Sequence, residues 1–218
     1  MSKYYKILPE NMCCLGFQYQ EGLNIDTNKV DKERFGYGLH FANAKGILSY
    51  CNYGTMIAEV EIPKDAVVFH FGNKFKADRI ILKNLRPLLN IETLKELKQE
   101  GVRFTRHMNF LLYRAATLGH LGVVKYLIEQ GTNIHALDDD ALCYASKNGH
   151  FDIVKYLVEH GANIHAGDDG ALRWASRNGY FDIVKYLVEH GANIHAWFDY
   201  AICWAKTPEI LEYLGSVI

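Results

Sequence analysis

The sequence has almost no net charge. Its 24 Lys and Arg stand against 25 Asp and Glu, a formal balance of −1. Residues 1–100 carry 14 basic and 12 acidic side chains, and residues 101–218 carry 10 and 13. Neither half offers the one-signed field that draws nucleic acid or an anionic membrane. No apolar run approaches a membrane span, and the opening Met-Ser-Lys-Tyr-Tyr has no signal-peptide core. A soluble, intracellular, cytoplasmic protein is expected. The five cysteines (Cys13, Cys14, Cys51, Cys143, Cys203) form no CxxC and no ligand knuckles. That argues against a disulfide frame and a zinc site, and implies mostly small buried thiols in a reducing compartment. GxGxxG, P-loop, HExxH and nucleophile-elbow motifs are absent too, and Gly36-Tyr37-Gly38 has no strand–helix context behind it. No cofactor and no metal is expected.

What is present is repetition. Asn133-Ile134-His135-Ala136 returns at Asn163-Ile164-His165-Ala166 and at Asn193-Ile194-His195-Ala196, a period of 30 residues. Phe151–Gly161 reappears unchanged as Phe181–Gly191. Such a period marks a stack of two-helix units, because one unit cannot bury its apolar face alone. Within a unit, Ala141–Ser146 reads as a first helix, with Asp139 just ahead as an N-cap and Asp169 and Asp199 in the same register. Ile153, Val154, Leu157 and Val158 share one face of a second helix that Gly161 ends. Ala145, Ala175 and Ala205 leave room for close helix approach. At the end of the chain Thr207-Pro208 opens a short helix, with threonine as cap and proline in the first turn.

The Leu-x-x-Ala-Ser/Ala-x-x-Gly-His/Tyr core, the Ile/Val-Val-Lys-Tyr-Leu-Ile/Val-Glu helix and Gly-Ala-Asn-Ile resemble the ankyrin repeat. That repeat usually runs to about 33 residues. Three are missing here between His165 and Leu172, and the Thr-Pro opening the usual first helix is gone, so the projecting fingers are expected to be short. The resemblance implies a concave groove for protein partners. Positions 114, 144, 174 and 204 read Arg, Tyr, Trp, Trp and would face that groove, with 147 and 177 (Lys, Arg) on the same side. Arg114, Tyr144, Lys147, Trp174, Arg177 and Trp204 are therefore the candidate contact residues, since aromatics and arginine dominate interface hot spots. His135, His165 and His195 form a ladder, as do His160 and His190. Equivalent residues of successive repeats stand too far apart to share one zinc ion. They are expected to be framework residues bonded to loop backbone.

The first ninety residues carry no such echo. Tyr4–Leu8, Met56–Ile62, Val67–Phe71 and Arg79–Leu82 have strand texture, with a helix near Ala44–Tyr50. Gly16-Phe17-Gln18-Tyr19, Gly22-Leu23-Asn24, Gly38-Leu39-His40-Phe41, Ile62-Pro63-Lys64-Asp65-Ala66 and Lys76–Leu82 resemble the module that precedes ankyrin repeats in mimivirus-type proteins of giant DNA viruses. Phe35-Gly36-Tyr37-Gly38-Leu39-His40-Phe41-Ala42 with Ser49-Tyr50-Cys51 is locally similar to poly(ADP-ribose) polymerases. That second resemblance makes His40 a catalytic candidate in place of the family's stacking tyrosine. The first strand, however, has Tyr4 and Tyr5 instead of the ribose-binding histidine, and no motif singles out Glu59 or Glu61.

The expected architecture is α+β: a small β-rich N-terminal module over 1–88, then an ankyrin-type solenoid over 89–218. Its parts are a half-repeat at 91–106, repeats at 107–136, 137–166 and 167–196, and a cap at 197–218. The expected function is protein–protein interaction by a viral protein, non-enzymatic, with a host protein as partner and no nucleic acid or membrane. An ADP-ribosyltransferase-like N-terminal domain, degenerate and targeted by the repeats, is the alternative.

Overall fold

The computed structural model describes residues 3–28, 30 and 37–217. Phe35-Gly36, part of the Gly-x-Gly stretch, lies outside them. The chain is α+β and divides into two compact units, Met1–His107 and Met108–Ile218. The division falls later than the 88/89 boundary read from the sequence.

The first unit is built on strands β1 (Tyr4–Leu8), β2 (Cys13–Cys14), β3 (Phe17–Gln18), β4 (Gly22–Ile25), β5 (Leu39–Asn43), β6 (Met56–Glu61), β7 (Val68–Phe71), β8 (Lys74–Ala77) and β9 (Arg79–Pro87). Seven form an antiparallel sheet in the order β4-β9-β6-β1-β5-β8-β7, and β2 and β3 form a separate ribbon. The central strand β1 is buried nearly throughout, which is why its sequence does not alternate apolar with polar. Tyr4 stands edge-on to Phe41 and Phe75, which stack on each other with centroids 5.5 Å apart. Leu8, Tyr19, Leu39, Val60, Ile80 and Leu82 complete that core. The helix expected near 44–50 is a single 3-10 turn, Ile47–Tyr50.

Helix α1 (Ile91–Gln99) closes this unit. Asn90 caps it by accepting from Glu92 and Thr93 N–H, and Leu94 and Leu97 are buried. Just past its end, Glu100 accepts from the Tyr5 hydroxyl at 2.7 Å and from Lys3 at 2.5 Å, fastening the helix to β1. The segment read as the head of the repeat stack thus belongs, by its contacts, with the sheet.

The second unit is α2 (Met108–Thr117), α3 (Leu121–Glu129), α4 (Ala136–Lys147), α5 (Phe151–Glu159), α6 (Ala166–Asn178), α7 (Phe181–Glu189), α8 (Ala196–Cys203) and α9 (Pro208–Ser216). The even-numbered helices pack side by side in one row and α3, α5, α7 and α9 in another. The seam between rows is the periodic set: Leu112, Leu142 and Leu172; Val124, Val154 and Val184; Leu127, Leu157 and Leu187, all buried. At Gly161, φ is +91°, and the Ala162 N–H reaches back to the Leu157 carbonyl, closing α5 as a left-handed cap does. The Gly-His/Tyr step also has a packing reason. The ring of Tyr180 lies where a side chain on Gly149 would stand, and the ring of His150 does the same at Gly119.

The fingers are short, but their construction differs from the expected capped helix start. Leu137-Asp138-Asp139, Gly167-Asp168-Asp169 and Trp197-Phe198-Asp199 each place three consecutive residues in the left-handed region. Asp139 and Asp169 therefore do not cap their own helices. Their carboxylates accept the backbone N–H of Asn163 at 2.9 Å and of Asn193 at 2.8 Å, in the next repeat. His135, His165 and His195 turn Nδ1 toward these aspartates and Asp199 at 2.7–3.2 Å. They bond to carboxylates, not to loop backbone. His160 and His190 bond to the Tyr156 and Tyr186 carbonyls of their own helices.

The cysteines depart from expectation as well. Only Cys51 is fully buried; Cys13, on the small ribbon, and Cys203 are exposed. Burial raises the half-covered Cys143 thiol to about 11, an unreactive value. At the C-terminal helix, Thr207 Oγ1 accepts from Ile210 N–H at 3.3 Å behind Pro208. Thr207→Ala should cost about 1 kcal/mol. Faster amide exchange confined to residues 208–216 would report it, and unchanged exchange would mean the cap contributes nothing.

Candidate functional site

Five of the six candidate contact residues meet on the row of even-numbered helices. Tyr144 and Lys147 stand three residues apart on α4, so their side chains share a face; Trp174 and Arg177 do so on α6. Lys147 Nζ lies 5.2 Å from the Tyr144 ring centre and 4.3 Å from that of Trp174. The Arg177 guanidinium is 5.3 Å from Trp174 and 5.7 Å from Trp204. Each cation thus lies against the ring of its own helix and that of the next repeat. Trp204 remains 58% exposed, so the ladder opens to solvent. Each cation–ring contact contributes about 0.5–1 kcal/mol at such a surface, enough to order the long side chains.

Tyr113, Tyr200 and Arg173 were not anticipated. Tyr113 meets Tyr144 edge-on at 4.9 Å and, with partial burial, holds the Tyr144 phenol above its usual value. Tyr200 stacks on Trp204 and accepts from Arg177 Nη1 at 2.7 Å. Arg173 lies 4.6 Å from Trp197 while donating to the Gly167 and Asp168 carbonyls. Positions 113, 143, 173 and 203 read Tyr, Cys, Arg, Cys, so copy-to-copy variation could have found two of the three. Arg114 holds its expected register on α2, but among the described residues no ring contact involves it.

The cations of this row share a second property. Among the described residues, none of Arg114, Lys147, Arg173, Arg177 and Lys206 is within ion-pair distance of a carboxylate. On the odd-numbered helices Lys155 lies 3.9 Å from Glu159, and Lys125 lies over the Tyr156 ring at 5.3 Å.

His40, the catalytic candidate, sits on β5 opposite Lys76 of β8. Glu59 is held by Arg86 at 3.3 Å and Glu61 by Lys83, so both acids of β6 are engaged. Among the described residues no three His, Cys, Asp or Glu side chains converge as metal ligands would. No described helix is long and apolar enough to cross a membrane.

A family model of ankyrin repeats, in three copies, matches residues 112–196. Ankyrin repeat protein R868 of Acanthamoeba polyphaga mimivirus is 30% identical over 141 residues, spanning 61% of this chain and 69% of that protein. The chain belongs to the ankyrin-repeat proteins. A second mimivirus ankyrin repeat protein, R896, is 32% identical over 143 residues; the match spans 62% of this ankyrin-repeat protein but only 43% of the relative. The uncharacterised mimivirus protein R869 is 33% identical over 133 residues, 96% of its own length. Residues 2–93 match a domain of unknown function (DUF7666), which spans the strands and the start of α1.

Proposed function

We propose that this ankyrin-repeat protein is a non-catalytic recognition module of viral type, and that its partner is an acidic segment of a host protein. The cation–aromatic ladder of Lys147, Trp174, Arg177 and Trp204, open to solvent and without carboxylate partners, carries the reading. Ordered aromatics offer large contact area at little entropic cost, and the cations between them supply donors for carboxylates. A continuous phosphate backbone fits less well, because Asp138 and Asp140, which act on Cys143 and Tyr144, bring negative charge to α4. Separate carboxylates on a folded or extended chain can avoid them.

The test is capture from amoebal lysate followed by identification of the bound chain. Replacing Trp174 and Arg177 together by alanine should weaken binding of the purified partner at least about tenfold while helicity stays unchanged. Affinity should also fall as salt rises. Capture that survives the double substitution, or that nuclease treatment abolishes, overturns the proposal.

A further inference from the structure

Within the first unit the central sheet is split. Strand β1 pairs with β6 along all five residues, from Tyr4↔Val60 to Leu8↔Met56, but with β5 only at Tyr4 and Tyr5. Beyond Tyr5, Lys6 and Ile7 face His40 and Phe41 across a break in the ladder. The break opens into a cavity of 430 Å³, whose lining includes Phe41, Ile47, Tyr50 and Tyr53. That volume is within the range of small-molecule sites, and so is the pattern of mostly apolar walls with few polar groups.

Lys6 is the exception in those walls. Its residue is 5% exposed, yet among the described residues its ammonium meets only the His40 carbonyl at 2.7 Å and the Tyr19 ring at 4.3 Å. Among the described residues no carboxylate pairs with it. A buried cation without a counter-ion is costly, and an ammonium has three donors, of which one is used here. Burial lowers its pKa to about 8, so most of the charge persists at neutral pH. From β8, Lys74 lies over the Tyr50 ring at 5.9 Å and adds positive charge to the same wall.

We infer that this cavity binds a small organic anion, its planar apolar body against Tyr50, Tyr53, Phe41 and Ile47 and its carboxylate or phosphate on Lys6 Nζ. The ligand supplies the counter-charge that the described residues leave out. Its site is independent of the repeat surface.

The probe is 1-anilinonaphthalene-8-sulfonate, a flat fluorophore with one sulfonate, titrated into the full chain. One molecule per chain should bind. Benzoate or phenyl phosphate should displace it, and whichever does so better identifies the headgroup, while neutral benzyl alcohol should be at least about tenfold weaker. Lys6→Met, which keeps the side-chain volume, should lose at least about tenfold in probe affinity. Tyr53→Ala, at the exposed rim, should lose about threefold with an unchanged melting temperature. Leu211→Ala should leave probe affinity unchanged, since it trims only a half-exposed side chain of the other unit. Equal displacement by benzyl alcohol, or full binding by a folded Lys6→Met variant, overturns the inference. Should that variant fail to fold, unaltered affinity in Tyr53→Ala overturns it alone.

Discussion

Asp169→Ala is expected to lower the stability of the repeat unit by about 3 kcal/mol, and Asp199→Ala by only about 1 kcal/mol. The two aspartates occupy the same register, at φ +53° and +56°. Each has a histidine Nδ1 four residues back, at 3.1 and 2.7 Å. Alanine in the left-handed region costs about 1 kcal/mol at either position. They differ in what else the carboxylate holds. Asp169, with its side chain 6% exposed, accepts the Asn193 N–H at 2.8 Å, joining its repeat to the next. Asp199 is 52% exposed and has only His195. A charge-assisted bond of that kind contributes about 2 kcal/mol, and its loss leaves a partly buried N–H without an acceptor. Asp169→Asn keeps an acceptor oxygen and should recover most of the difference. Because Trp174, Trp197 and Trp204 all lie in the second unit, tryptophan fluorescence during urea unfolding reads this unit alone. Equal losses at the two positions would show that the link between repeats carries no energy.

That link also marks where sequence reasoning stopped. Ile153, Val154 and Leu157 declare themselves because burial imposes a period on their neighbours, and periods survive in a one-dimensional string. Asp139 looks like any N-cap from residue type alone. Its actual partner is Asn163, 24 positions on, and the route there depends on a left-handed turn. In two of the three fingers that turn is made without glycine, by Leu137 and by Trp197-Phe198, so no residue announces it. The cation–aromatic ladder was legible for a different reason. In a nearly invariant framework, Tyr144, Lys147, Trp174, Arg177 and Trp204 vary between copies. Tyr200 escaped because its register otherwise reads Asp140 and Gly170, which suggest only a finger. In the first unit the outline of β1 was readable at Tyr4–Leu8, but its partners lie at 42–43 and 56–60. Nothing local records that pairing with β5 ends after Tyr5, so the cavity was invisible.

Lys6→Met should raise the stability of the first unit by about 2 kcal/mol at pH 7. Lys6 has an ordinary value of 10.5 unfolded and about 8 folded, chiefly through burial, with Cys14 opposing the shift and Lys74 adding to it. Each unit of difference is about 1.4 kcal/mol, so keeping the side chain charged costs the folded state about 3 kcal/mol. Methionine removes that cost and forfeits one hydrogen bond to the His40 carbonyl, about 1 kcal/mol. The pH dependence has a definite sign. Between about pH 8 and 10.5 the unfolded chain holds the Lys6 proton and the folded chain releases it, so wild-type stability climbs through this window. The methionine variant has no such climb, and its advantage should vanish by about pH 10. Burial holds the phenols of Tyr5 and Tyr19 above their usual range, and both are common to the two proteins, so their titration cancels in the difference. Hydrogen exchange in peptides covering residues 4–8 and 39–43, compared between variants at each pH, gives the measurement. Destabilisation by methionine at pH 7 would show that the ammonium supports the fold. Stabilisation would show that the fold carries Lys6 at a loss, which an anion bound beside it would offset. Saturating benzoate should then stabilise the wild type and leave the variant unmoved.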